Sequence, residues 1–184
     1  ARVSGNAAVG SANFYGSNWG MTGGFEQQAG DGRVGVALGG GGSSYSLADG
    51  RGFGSAGIFN AGLYGSLRSG AAYLSGAAAY TFNSVTTART VGGNTLTGRY
   101  GAHILSARLE AGRTVGLGWT SLTPYAAAQA HAYFMPGYSE TSTGSTTYAL
   151  SCDAQTITDG STELGLKLAR TVLLDSGALE LNGR

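Results

Sequence analysis

The chain has 184 residues, 34 of them glycine, with 11% charged residues and a formal net charge of +1. Two prolines and no Gly-X-Y period exclude a collagen-like chain, and ten tyrosines with six phenylalanines and two tryptophans exclude the low-hydrophobicity composition of a disordered one. Eleven basic against ten acidic residues, with no basic cluster, leave no footprint for nucleic acid as a partner.

No apolar run reaches the ~18–20 residues of a membrane-spanning helix. Ala1 opens no basic-then-apolar leader, so the export signal of a secreted parent lies upstream. The signal that does recur is alternation with period two, the mark of strands whose successive side chains point to opposite faces. Taken in order, strands are expected at residues 18–27, 33–46, 56–68, 71–85, 99–113, 119–134 and 154–170, with a shorter one at 178–184. In the second, Val34, Val36 and Leu38 oppose Arg33, Gly35, Ala37 and Gly39. In the fifth, Leu105, Ala107 and Leu109 oppose Ser106, Arg108 and Glu110. The sixth places Gln129 and His131 in register with Tyr125 and Tyr133. In the seventh, Leu164, Leu166 and Leu168 oppose Glu163, Gly165 and Lys167.

The connections alternate in length: short at 29–32, 69–70, 116–118 and 173–177, longer at 47–55, 86–98 and 136–153. Short turns at one end and long loops at the other describe an outer-membrane barrel, with periplasmic turns and extracellular loops. In hydrocarbon every backbone N–H and C=O must be paired internally, so a sheet survives there as a closed ring. The expected fold is all-β, a transmembrane antiparallel up-and-down β-barrel occupying residues 1–184. An arginine on the lipid face near midplane costs about 2–4 kcal/mol. Arg108, Glu110, Gln129, Glu163 and Lys167 are therefore assigned to the lumen, and Val34, Val36, Leu38, Leu105, Leu109, Leu164, Leu166 and Leu168 to lipid. His103 and Arg170 fall in the lipid register near strand ends, where long side chains snorkel. Gly35, Gly62, Gly76, Gly112 and Gly165 are expected to leave room in the lumen.

Motifs for chemistry are weak. Residues 52–57 match GxGxxG, but a strand follows where a dinucleotide site needs a helix. The glycine run 39–42 lacks the Lys-Ser or Lys-Thr of a phosphate loop. Two histidines, His103 and His131, are too few for a histidine-rich metal site, and no G-x-S-x-G elbow presents a nucleophile. Arg108 with Glu110 and Glu163 with Lys167 read as loose same-face pairs in a wet wall, worth about 0–1 kcal/mol each. No catalytic residue, metal or cofactor is expected. Cys152, the single cysteine, sits in a loop.

The segments 60–65 (NAGLYG), 72–77 (AYLSGA), 106–112 (SARLEAG), 122–127 (LTPYAA) and 162–166 (TELGL), by their order and spacing, make the chain similar to the barrel domain of autotransporters, the type V secretion proteins. The resemblance implies a twelve-stranded barrel with a lumenal helix and a passenger ahead of it. Residues 1–5 would end the first strand, and the chain would stop inside the ninth. The upstream helix and passenger, and the final strands with the terminal aromatic that the barrel-assembly machinery reads, would lie outside this segment. The implied function is anchoring in the outer membrane of a Gram-negative bacterium and export of an N-terminal passenger. The implied partners are outer-membrane lipid, the passenger and the assembly machinery. A small closed eight-stranded pore or adhesin is the alternative, disfavoured by the short last strand; a barrel-embedded enzyme is a third.

Overall fold

A computed structural model describes residues 2–5, 13–174 and 177–183. Nine strands form one meander: β1 (Arg2–Gly5), β2 (Phe14–Ala29), β3 (Gly32–Leu47), β4 (Gly52–Ser69), β5 (Ala72–Val91), β6 (Asn94–Arg113), β7 (Ser121–Met135), β8 (Gln155–Leu174) and β9 (Gly177–Gly183). Each pairs antiparallel with its sequence neighbours and with no other long strand. Among the described residues, no pairing joins β1 to β9. Every expected strand is present, most of them longer than the alternation suggested. Ala1, Arg184 and part of the expected turn at 173–177 lie outside the described residues.

Turns at one end are tight. Gly30 (φ 58°) and Gly70 (φ 56°) take the left-handed conformation that other residues resist, closing β2–β3 and β4–β5 in two residues. Between β6 and β7, Val115–Gly116 pairs back onto Leu122 and Ser121, and the Leu117 N–H donates to the Thr120 carbonyl at 2.8 Å. At the opposite end one expectation fails. Residues 86–98 are not a loop: β5 and β6 continue to Val91 and Asn94 and turn on Gly92–Gly93, both with positive φ. The flanking Thr and Val residues favour a strand, and the Gly-Gly pair suits a two-residue turn.

The register separates two faces across the whole sheet. On one, Val36 pairs with Leu63, Leu63 with Ala78, Ala78 with Ala107 and Ala107 with Ala130. Toward the long-loop end this face carries a transverse row of Phe59, Phe82, His103 and Phe134. All eight valines and leucines assigned to lipid lie here and are exposed, Leu164 by 86%. The other face is polar.

The strand glycines do not serve one purpose. Gly35, Gly112 and Gly165 are on the polar face, but each is covered by a cross-strand tyrosine ring. A Cβ built there would meet Tyr64, Tyr73 and Tyr125 respectively, at under 3 Å. These glycines seat tyrosines, as aromatic rings commonly shield strand glycines, and do not leave open space. Gly76 pairs with Leu109 and belongs to the apolar face, against expectation. Gly62 alone of the five is on the polar face without a ring over it.

Candidate functional site: a charge-balanced network on the polar face

Adjacent rows of the register gather charged and polar side chains of β6, β7 and β8, and Lys167 reaches them from two rows further along the same face. Ser75, Glu110, Ala127 and Glu163 form one row, and Ala77, Arg108, Gln129 and Ser161 the next. The sequence supplies these residues through alternation, and the pairing of β6, β7 and β8 brings them together. Glu110 is the centre, with only 8% of its surface exposed. Arg108 Nη2 donates to Glu110 Oε2 and to Glu163 Oε2, both at 2.9 Å. Arg108 Nη1 donates to Gln129 Oε1 at 3.1 Å. Lys167 forms an ion pair with Glu110 Oε1 and donates to the Tyr73 hydroxyl at 3.0 Å. Tyr73 in turn donates to Glu110 Oε1 at 2.8 Å, and Tyr125 donates to Glu163 Oε1.

Two cations and two carboxylates thus cancel within one connected cluster. The Lys167 ammonium also lies 5.1 Å from the Tyr73 ring centroid and 4.7 Å from that of Tyr125, a cation–π arrangement. The pairing differs from the sequence expectation. Lys167 pairs across the sheet with Glu110 and not with Glu163, its neighbour on β8, which is held by Arg108. All five polar residues singled out in sequence meet here. Tyr73 was missed, and Tyr125, already in register with Gln129, was not read as a member; both stand opposite Gly112, and a tyrosine facing a glycine across strands is the signal that would have found them.

Gly112 accordingly controls the network through Tyr73. Its hypothetical Cβ falls 2.6 Å from the Tyr73 ring and 2.9 Å from the Pro124 carbonyl oxygen. Gly112→Val should expel the ring, remove a donor from Glu110 and cost about 1–3 kcal/mol, the usual range for overpacking. The temperature at which the folded gel band of the full barrel disappears is the measurement, and an unchanged temperature would contradict this coupling.

Elsewhere on this face, Ser106 Oγ lies 2.9 Å from His131 Nδ1, and Asp159 stands opposite His131 in register. The hydroxyl occupies the ring nitrogen that the acid of a Ser-His-Asp triad would use. The surrounding strand N–H groups are committed to sheet pairing, so the arrangement lacks an oxyanion hole. On the apolar face, His103 Nδ1 meets the Tyr80 hydroxyl at 2.7 Å, and Arg170 lies 4.9 Å from the Trp119 ring centroid. Residues 52–57 open β4, and 39–42 sit inside β3, so neither glycine motif forms a phosphate-binding loop. Among the described residues, no three His, Cys, Asp or Glu side chains gather as metal ligands.

Solved structures share this architecture. The translocator domain of the autotransporter NalP from Neisseria meningitidis superposes with a TM-score of 0.75 at 18% identity, over 94% of this chain and 63% of that one. The β domain of the Bordetella autotransporter BrkA gives a TM-score of 0.60 at 21% identity, over 92% of this chain and 67% of that one. The chain therefore spans about two thirds of the length of these domains. Comparison with curated proteins returns no match. The family described as the autotransporter beta-domain matches residues 1–184, the whole length, and the chain belongs to that family.

Proposed function

We propose that the chain forms much of the wall of an outer-membrane pore, with the polar face toward the lumen and the apolar face toward lipid, and that the pore supports export of an N-terminal passenger. The two-faced sheet carries the reading. From the Phe82 row to Leu74 is eight residues on β5, about 27 Å along the strand and roughly 20 Å in height at the usual tilt, close to the ~25 Å apolar band of such barrels. Phe59, Phe82 and Phe134 then sit where an aromatic girdle belongs, and Trp119 with Arg170 marks the other interface. Arg108, Glu110, Gln129, Glu163 and Lys167 line the lumen. Val34, Val36, Leu38, Leu105, Leu109, Leu164, Leu166 and Leu168 meet lipid. In this reading further strands complete a twelve-stranded ring, the long-loop end faces outward, and the barrel-assembly machinery inserts the whole.

The lumenal network is a neutral lining and the barrel is not catalytic. Each charge is answered within hydrogen-bonding distance, so a moving chain meets a wall without net attraction. The test uses the full-length parent in Gram-negative cells, with an epitope placed upstream of the barrel. Protease added to intact cells should remove the epitope, and a membrane-impermeant thiol reagent should label Cys152. An epitope held in the periplasm beside a correctly folded barrel would refute export. Thiol labelling only after the outer membrane is broken would invert the orientation.

A further inference from the structure

The long connection between β7 and β8, residues 136–153, is folded back onto the β5–β6 hairpin. Arg89 donates from Nε to Glu140 Oε1 at 2.9 Å and from Nη2 to Oε2 at 2.6 Å, and its Nη2 also reaches the Tyr148 carbonyl at 2.6 Å. Glu140 accepts as well from the Leu150 N–H at 2.9 Å. The Arg89 guanidinium hydrogen-bonded to Glu140 holds that carboxyl below the usual carboxylate range. Thr141 and Ser142 extend the sheet by pairing with Thr97 and Leu96. Tyr138 stacks on Tyr100 with ring centroids 4.5 Å apart and lies against Gly98, where a Cβ would meet its ring at 2.8 Å. Beneath the connection Leu96 is fully buried.

Which face is covered decides what this means. Arg89, Leu96 and Tyr100 share the register of Ser75 and Glu110, the polar face. From Phe82 to the tip at Val91 is nine residues, about 30 Å along the strand, so the hairpin stands beyond the apolar band. We propose that residues 136–153 are a strap that closes over the inner side of the pore mouth, latched by Arg89 and Glu140, and that it swings aside when a chain passes through. The proposal rests on the reading of the polar face as lumen. The means of attachment suit a movable part: the Arg89 bonds to Glu140 and Tyr148, a short pairing of residues 141–143 with 95–97 and one ring stack, all broken without disturbing the ladder between β6 and β7.

A cross-link tests it in the full-length barrel with Cys152→Ser as background. Thr97→Cys and Thr141→Cys are direct partners of an antiparallel pair, whose Cα spacing of about 4.5–5.5 Å lies within the range of a disulfide. The oxidised form should stay in a low-conductance state in planar bilayers and block surface arrival of the passenger, and reductant should restore both at least tenfold. Glu140→Gln, which keeps the side chain's shape, should raise the open fraction several-fold without any cross-link. Equal conductance of oxidised and reduced forms, an unchanged open fraction in Glu140→Gln, or failure of the two cysteines to cross-link would each overturn the strap. A redox-dependent conductance without export in either form would support the strap and instead refute the export function.

Discussion

Leu109→Arg is expected to deplete the intact parent barrel from the outer membrane by more than tenfold. Leu109 is 62% exposed in the middle of the apolar face, between Gly76 and Ala128 on the neighbouring strands. On the proposed orientation a guanidinium there is placed among acyl chains, with no carboxylate on the same face of either neighbouring partner. The penalty near midplane is about 2–4 kcal/mol, roughly thirtyfold or more in an equilibrium. Ser161→Arg is the control: Ser161 lies on the polar face opposite Gln129, where the added charge points into water. Outer-membrane fractionation followed by immunoblotting compares the two: equal losses would mean that the faces do not differ as proposed, and a greater loss for Ser161→Arg that they are assigned the wrong way round.

Glu110→Ala is expected to destabilise the folded barrel more than any other truncation in the polar-face network. Glu110 accepts from Arg108, Lys167 and Tyr73, so its removal takes one acceptor from three donors at once, although Arg108 keeps Glu163 and Gln129 and Lys167 keeps the Tyr73 hydroxyl. Losing three hydrogen bonds to a buried carboxylate, two of them charge-assisted, costs about 1–3 kcal/mol, tempered by the partial exposure of Arg108 and Lys167. Glu163→Ala removes a more exposed carboxylate and leaves Arg108 held by Glu110 and Gln129, and it takes one acceptor from the Tyr125 hydroxyl, at a cost of about 1 kcal/mol. Urea midpoints of the full barrel in detergent should therefore fall clearly for the first variant and little for the second. The same midpoint in both would show that Glu110 is not the centre.

The sequence revealed the strands wherever one face is an unbroken apolar stripe, because a one-sided stripe on a strand forces alternation. Val34, Val36 and Leu38 could be read as one stripe, and so could Leu164, Leu166 and Leu168, without knowledge of any neighbour. The extension of β5 and β6 beyond Val85 was invisible for the converse reason. Thr86, Thr87, Arg89 and Thr90 are a polar run with no hydrophobic period, what covers them comes from the distant 136–153 connection, and only Gly92–Gly93 betrays the turn. The polar site was legible as a set of residues on one face but not as a set of bonds. Which carboxylate meets Lys167 depends on the stagger between β6, β7 and β8, and a shift of two residues keeps every side chain on its face while changing every partner. The glycines misled because a strand glycine can be empty space or the seat of a ring, and only the opposite residue decides.

Because every long strand pairs only with the strands before and after it in the chain, assembly can proceed one hairpin at a time, in order. All but one of the hairpins close short loops, and loop-closure entropy grows only slowly with length even for the 136–153 connection, so no single early step carries a large entropic barrier. The difficulty is deferred to one event, the meeting of the first and last strands of the complete ring, which joins the most distant parts of the polypeptide. Until that seam forms, any intermediate presents an unpaired row of amides and carbonyls, which hydrocarbon penalises heavily. A topology this simple therefore makes growth easy and closure rate-limiting, and it puts the need for outside help at the seam and not along the way.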